Sequence, residues 1–310
     1  QHAPTWKNKK HSQQFINTLT TYAFPVIGHK LVSDISSSDI LRVLSPIWIA
    51  KAETARRVKQ RISKVLRWCV AQNWRSDDPT LAIAQALPKQ HKTLQNRKAL
   101  PYQDVATCLN HVQTSSESGP RTKLAFEFLI RTAARSTEIR HATWDEINFN
   151  NREWLIPAEK MKSNNEHRVP LSDQAFELIK QAETFKDGSN LIFAGVRYGK
   201  PMSDATLLKL VKSKGYNIDV HGFRTSFRTW AQEQTDFPRE VIEKALAHSI
   251  HNKTEAAYAR SDLFDKRREL MNSWCDFIDK GLKTAATEEK SWKDYDFDMI
   301  EAENRGELHS

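Results

Sequence analysis

The feature that most constrains the fold is an interruption. Residues 88–101, PKQHKTLQNRKALP, are polar, basic and bounded by Pro88 and Pro101, so they read as a linker. Whatever lies on either side must bury its own core, and 310 residues are enough for both. Residues 1–95 are therefore expected to form one domain and 102–280 a second, followed by an acidic segment over 281–310.

The first domain reads as helical. Apolar residues fall at Phe15, Ile16 and Leu19, Pro25 and Gly28 interrupt the pattern, and Ser36 to Asp39 offers caps for a short helix through Leu44. The strongest helix is predicted over 54–74. Val58, Ile62, Leu66 and Cys69 hold one face at helical spacing, and Arg57, Arg61 and Lys64 lie on another. A short Ala/Leu helix is expected to Leu87. In the second domain helical patterning covers 104–111 and 122–131, and then the period shortens. Glu153 to Ile156 and His167 to Leu171 read as strands around the polar turn 160–166, with Leu191 to Phe193 as a further strand. Helices return over 203–214, 241–247 and 264–278. Residues 281–310 mix Trp292, Tyr295 and Phe297 with charge, and read as a mobile tail or a partner-docking segment. The fold class is thus mainly α with a small antiparallel β-sheet in the second domain.

Charge is distributed unevenly. The chain carries +9 overall, yet residues 1–95 hold 15 Lys and Arg against 5 Asp and Glu, residues 96–280 hold 28 against 25, and residues 281–310 hold 4 against 8. Arg57, Arg61 and Lys64 can be a solvated helix face or a face against DNA phosphates, and the local excess favours phosphates. Three widely spaced cysteines suggest neither a disulfide framework nor a zinc ribbon, which fits a reducing cytoplasm. The absence of a long apolar run and of a charged-then-apolar leader argues against a membrane span or secretion. The chain begins with Gln rather than Met, and is expected to be part of a longer or processed chain.

Chemistry concentrates between Val220 and Arg260. His221-x-x-Arg224, His248 and Tyr258 bring cationic or proton-donating groups and a nucleophilic hydroxyl into one short region. Such a set suits metal-free phosphoryl transfer, which needs donors on the equatorial oxygens, an in-line nucleophile and an acid for the leaving oxygen. Arg135 is followed three residues later by Glu138, a spacing that can orient the guanidinium on a helix or be an ordinary surface pair. Lys162 sits at a hairpin, where it can swing into a site or protect a strand edge. Lys160 is an alternative to it. His248 and His251 match no usual zinc spacing, so no metal is expected.

Arg135 in TAARSTEIR, Lys162 ahead of HRVPLS, His221 and Arg224 in HGFRTSFRTW, His248 in LAH and Tyr258 in AAYAR together resemble the tyrosine recombinases. The wording is similar to that of the integrases of satellite phages and genomic islands. The resemblance spans roughly residues 121–260 and implies a two-domain DNA clamp, with a helical core-binding domain ahead of the catalytic one and the arm-binding domain of longer members absent. It implies that Tyr258 attacks a scissile phosphate to give a 3′-phosphotyrosyl link, that Arg135, Arg224 and His248 hold the phosphate oxygens, that Lys162 protonates the 5′-leaving oxygen and that His221 takes the nucleophile's proton. No cofactor is implied. The implied partners are double-stranded attachment-site DNA, further copies in a tetrameric synapse and an accessory DNA-bending protein, in the bacterial cytoplasm at the nucleoid. A non-cleaving attachment-site binder and a type IB topoisomerase-like relaxing enzyme are the alternatives. Two departures concern the backbone: the family often has Gly where this chain has Ala133-Ala134 and Ala247.

Overall fold

In a computed structural model, residues 9–84, 86–90, 98–248 and 261–304 are described. Contacts divide the chain into units 1–94 and 95–310.

The first unit contains α1 (Lys9–Tyr22), the single-turn α2 (Phe24–Ile27), α3 (Ser37–Trp48) and α4 (Ala52–Ala71). Ser36 caps α3, its hydroxyl accepting from Asp39 N–H at 3.3 Å while the Asp39 carboxylate accepts from Ser36 N–H at 3.0 Å. This reciprocal pairing satisfies donors that a helix start otherwise leaves unpaired. The core is built from Phe15, Leu19, Ile40, Leu44, Val58 and Ile62 with their neighbours. Helix α4 stops at Ala71 rather than at Trp74, because Asn73 takes a left-handed φ of 58° and turns the chain. The Ala/Leu segment that follows makes only a 3-10 turn over Ala82–Ala84.

The second unit begins with α5 (Val105–Thr114), α6 (Pro120–Thr132) and α7 (Ser136–Arg140). Three short strands follow, β1 (Ile147–Asn148), β2 (Glu153–Ile156) and β3 (His167–Pro170), paired antiparallel in the order β1-β2-β3 with Trp154 opposite Val169 and Ile156 opposite His167. The third strand is therefore not Leu191 to Phe193. Leu191 makes a lone bridge to Thr143, and Phe193 is buried against Phe128 with ring centroids 5.5 Å apart. An apolar run that short does not by itself distinguish ladder pairing from core packing.

The rest is α8 (Asp173–Glu183), α9 (Thr206–Ser213), α10 (Gly222–Gln234), α11 (Arg239–Ala245) and α12 (Phe264–Asn304). Helix α12 runs well past the amphipathic stretch predicted to end at 278. It packs along α5, and Gly281 lets the backbones close in: a Cβ there would meet Ala106 Cβ at 2.6 Å. Ala285 is still buried, so the start of the acidic segment is helix docked on its own unit rather than a tail. Trp274, fully buried, donates Nε1 to the Ile130 carbonyl at 2.8 Å, and buried Arg131 reaches Glu127 at 2.8 Å and Asp279 at 2.7 Å. These bonds satisfy buried polar atoms and anchor the end of α6, where the site begins.

Candidate active site

Two helix C-termini build the site. Helix α6 ends at Ala133 with φ 48°, which reverses the chain and lets Arg135 open α7. Helix α11 ends likewise: Ala247 has φ 46°, its N–H bonds to Lys244 O at 3.0 Å, and the His248 N–H returns to Glu243 O at 2.9 Å. That pair of bonds is the Schellman ending, whose left-handed residue is usually Gly. Alanine there costs about 1 kcal/mol because its Cβ crowds the backbone. Ala133 and Ala247 thus keep the turns that a glycine would form with less strain.

The carbonyls these endings leave over are taken by the two arginines. Arg224, on α10 and 4% exposed, donates Nη1 to the Ala133 carbonyl and Nη2 to the Leu246 carbonyl. Arg135 donates Nη1 to Glu138 Oε1 at 2.7 Å and Nη2 to the Ala247 carbonyl at 3.3 Å. Glu138 is buried and also accepts the Arg135 backbone N–H at 2.7 Å, so the pair orients the guanidinium from two points and is not a surface ion pair. Burial, and then the neighbouring Arg135, bring the Arg224 pKa down to about 10, with Glu138 opposing. Arg224 Nε is buried with no partner among the described residues.

Gly222 explains how α10 is placed. A Cβ at this position would meet Lys98 O at 2.6 Å and Ala99 Cα at 2.8 Å, so only glycine lets the chain at 98–99 cross the helix start. His221, half-buried, is the N-cap of α10, one turn ahead of Arg224. His248 is held by its Nδ1 against Glu243 Oε2 at 2.5 Å. Tyr258 and His251 lie outside the described residues. The described chain on either side of them is tied to adjacent residues of α11: His248 to Glu243, and the Ser261 carbonyl to Lys244.

The two lysines differ. Lys160 donates to the His141 carbonyl at 2.7 Å and to the buried Glu146, whose other oxygen accepts from Trp154 Nε1 at 2.9 Å. It is committed to holding β2 against the turn after α7. Lys162 is exposed in the turn between β2 and β3, outside the arginine cluster.

Three further residues beside the cluster carry no distinctive sequence signal. His167 opens β3 beside the arginines and donates to the Ala245 carbonyl. Burial, then Arg267 and Arg224, bring its pKa down to about 3 despite that bond, so it is a neutral imidazole. Strand alternation, with His167 and Val169 on one face, was the available signal. Glu243 and Arg228, which donates Nε to Glu243 at 2.7 Å, were hidden because a five-residue separation from Glu243 to His248 becomes proximity only through the Schellman ending.

In the first unit, Arg57 is exposed and pairs with Glu53 at 2.9 Å, and Lys64 lines a shallow depression with Ser63, Arg67 and Trp68. Arg61 is different. It is 8% exposed, donates to the Gln14 carbonyl at 2.7 Å and lies over the Phe15 ring at 5.5 Å. This removes Arg61 from the exposed basic face, since its stem and charge are used to join α4 to α1. Among the described residues no group of three or more His, Cys, Asp or Glu could hold a metal ion, and no helix is long and apolar enough to cross a membrane.

Residues 98–263 match the model of the phage integrase family, and residues 1–86 match that of the phage integrase central domain. The chain belongs to the phage integrase family. It is similar to the prophage integrase IntA of Escherichia coli (strain K12), 34% identical over 261 residues, covering 82% of this chain and 62% of that protein. It is also similar to the integrase of Enterobacteria phage P4, 29% identical over 291 residues, covering 88% of this chain and 66% of the relative. The chain thus spans somewhat under two thirds of those relatives. Among solved structures, a lambda integrase tetramer bound to a Holliday junction aligns with a TM-score of 0.63 at 17% identity, over 81% of this chain and 75% of that one. The Tn1549 transposon integrase in complex with circular intermediate DNA aligns with a TM-score of 0.58 at 15% identity, over 85% of this chain and 92% of that one. These likenesses are of fold, and they agree with the helical architecture and its three-stranded antiparallel sheet.

Proposed function

We propose that this chain is a site-specific DNA recombinase that integrates or excises a mobile element through a covalent phosphotyrosine. The observation that carries the reading is the convergence of Arg135 and Arg224 on carbonyl oxygens at two helix ends, with Glu138 orienting one guanidinium and Arg224 Nε buried without a partner among the described residues. A scissile phosphate is a better acceptor for these donors than neutral carbonyls, because its anionic oxygens carry charge opposite to the guanidinium and accept paired bonds from its fork.

In this mechanism the Tyr258 oxygen forms a bond to phosphorus as the bond to the 5′-oxygen breaks. The phenol proton passes to His221, and Lys162 gives a proton to the departing 5′-oxygen. Arg135, Arg224 and His248 hold the oxygens on which charge accumulates. The number of phosphoester bonds is unchanged, so rejoining runs along the same path in reverse. The commitment of Lys160 to Glu146 supports Lys162 as the acid. Residues 1–95 serve as the core-binding domain, with Arg57 and Lys64 on the face toward phosphates, and residues 102–280 as the catalytic domain. Double-stranded attachment-site DNA is the partner, in the bacterial cytoplasm at the nucleoid. The reactive assembly is a tetramer of this chain on paired sites, with an accessory protein bending the DNA.

The test is covalent trapping on attachment-site DNA carrying a nick beside the scissile phosphate, so that the short released strand diffuses away. The unmodified chain should form a denaturation-resistant adduct and Tyr258→Phe should form none while binding the same DNA. An adduct with the Phe variant would refute the nucleophile, and binding without any adduct in the unmodified chain would refute the recombinase reading.

A further inference from the structure

His248 is held by a carboxylate, and that pairing decides which of its ring atoms faces substrate. Glu243 Oε2 lies 2.5 Å from His248 Nδ1, and the His248 backbone N–H returns to the Glu243 carbonyl at 2.9 Å. The other carboxylate oxygen, Oε1, takes Arg228 Nε at 2.7 Å and Nη2 at 2.5 Å. Main chain and side chain of His248 are therefore both fixed to Glu243, and Glu243 is fixed to α10, the helix that carries Arg224. Since Nδ1 and Nε2 project from different edges of the ring, engagement of Nδ1 leaves Nε2 for a phosphate oxygen.

A ring that donates from Nδ1 to a carboxylate and from Nε2 to a phosphate must carry both protons. The surroundings oppose that state. Burial is the largest effect and, with Arg224 and Arg135, leaves the His248 pKa below the ordinary imidazole value, although the Glu243 hydrogen bond and charge raise it. Burial raises the Glu243 pKa in turn, but the bonds from His248 and Arg228 prevail and keep it below the usual carboxylate range. Of the other charged or titratable groups on the elements packed around this turn, Glu138 is engaged by Arg135, Lys244 by the Ser261 carbonyl, and His167 is neutral.

We infer that Glu243 is a positioning residue that directs the His248 Nε2–H at the phosphate and favours the doubly protonated ring against its surroundings, with Arg228 holding the carboxylate in place. The inference rests on the recombinase reading above. If it holds, adduct formation loses rate as pH rises through the His248 pKa, and removing the carboxylate charge moves that loss to lower pH.

The experiment measures the rate of covalent adduct formation on the nicked attachment-site DNA from pH 6 to 9, alongside DNA affinity and circular dichroism. Glu243→Gln keeps an acceptor for Nδ1 but no charge. It should move the alkaline limb down by about one pH unit and slow the reaction about tenfold at pH 8, at nearly unchanged DNA affinity. Arg228→Gln, which leaves both partners of the pair in place, should move the limb in the same direction by less. In a His248→Ala background, Glu243→Gln should change the rate less than about twofold, as expected if it acts only through the imidazole. An unshifted limb in both variants, a uniform loss at every pH, or an undiminished effect without His248 would each overturn the inference and leave the recombinase reading intact. Failure of the unmodified chain to form any adduct would remove that reading, and this inference with it.

Discussion

Replacing His167 with Gln should make the second unit less sensitive to acid, and the size of the effect follows from the environment of the ring. In the folded chain the His167 pKa is about 3, because burial and the nearby Arg267 and Arg224 outweigh the hydrogen bond to Ala245. In the unfolded chain it returns to about 6.5. The sign is set by which state binds more protons. Above about pH 6.5 neither state is protonated and the site is neutral to stability; below it the unfolded chain takes up a proton that the folded chain refuses until about pH 3. Stability is therefore lost as pH falls through that window. Between pH 7.5 and 5.0 the loss from this one group is about 2 kcal/mol, from 1.36 kcal/mol per pH unit over about 1.5 units.

Other groups titrate over the same range, so the assay is a comparison. Urea unfolding of the unmodified chain and of His167→Gln is followed at pH 7.5 and 5.0 under matched salt. At pH 7.5 the variant is the less stable, since Gln fills the space imperfectly. At pH 5.0 the gap should narrow or reverse by about 2 kcal/mol. A gap equal at both pH values to within about 0.5 kcal/mol, the usual limit of additivity, would refute a buried neutral imidazole beside the arginines.

Two further outcomes follow. Ala133→Gly and Ala247→Gly should each stabilise the chain by about 1 kcal/mol in the same unfolding assay, since each relieves a left-handed alanine; a loss of stability would mean that these turns are not as described. Lys162→Ala should slow cleavage of ordinary DNA by roughly 10²-fold or more and be rescued by a 5′-thio leaving group, which needs no acid. By contrast Lys160→Met should destabilise the fold by about 2 kcal/mol by leaving Glu146 buried without its cation, with no thio rescue; the reverse assignment of rescue would exchange the roles of the two lysines.

Much of this was legible in the chain itself. The helical periodicity of α4 and α6 and the shortened period at β2 and β3 are local signals, and local backbone preferences together with amphipathic spacing largely decide such elements. The six residues proposed for the reaction were named from runs of neighbours that resemble a known family, and Tyr258 among them lies outside the described residues. Errors came where a side chain had two uses. Arg61 sits on the charged face by helical angle, yet α1 offers it a carbonyl and a ring. Leu191 to Phe193 has strand composition, yet the space beside Phe128 takes Phe193 as core. Residues after 278 are rich in charge, yet α5 provides a surface for the helix to continue upon.

The sequence by itself determined the order of the elements, because helix and strand period are properties of short stretches, and it offered candidates for the reactive groups. Tertiary structure alone decided how those groups are held. It set Arg224 and Arg135 on carbonyls of two separate helix ends, placed His167 under them, and turned Glu243 back onto His248. The physical reason is that left-handed helix endings and buried donors are resolved by whatever lies nearest in space, and for the two arginines that neighbour lies 22 to 112 residues away along the chain.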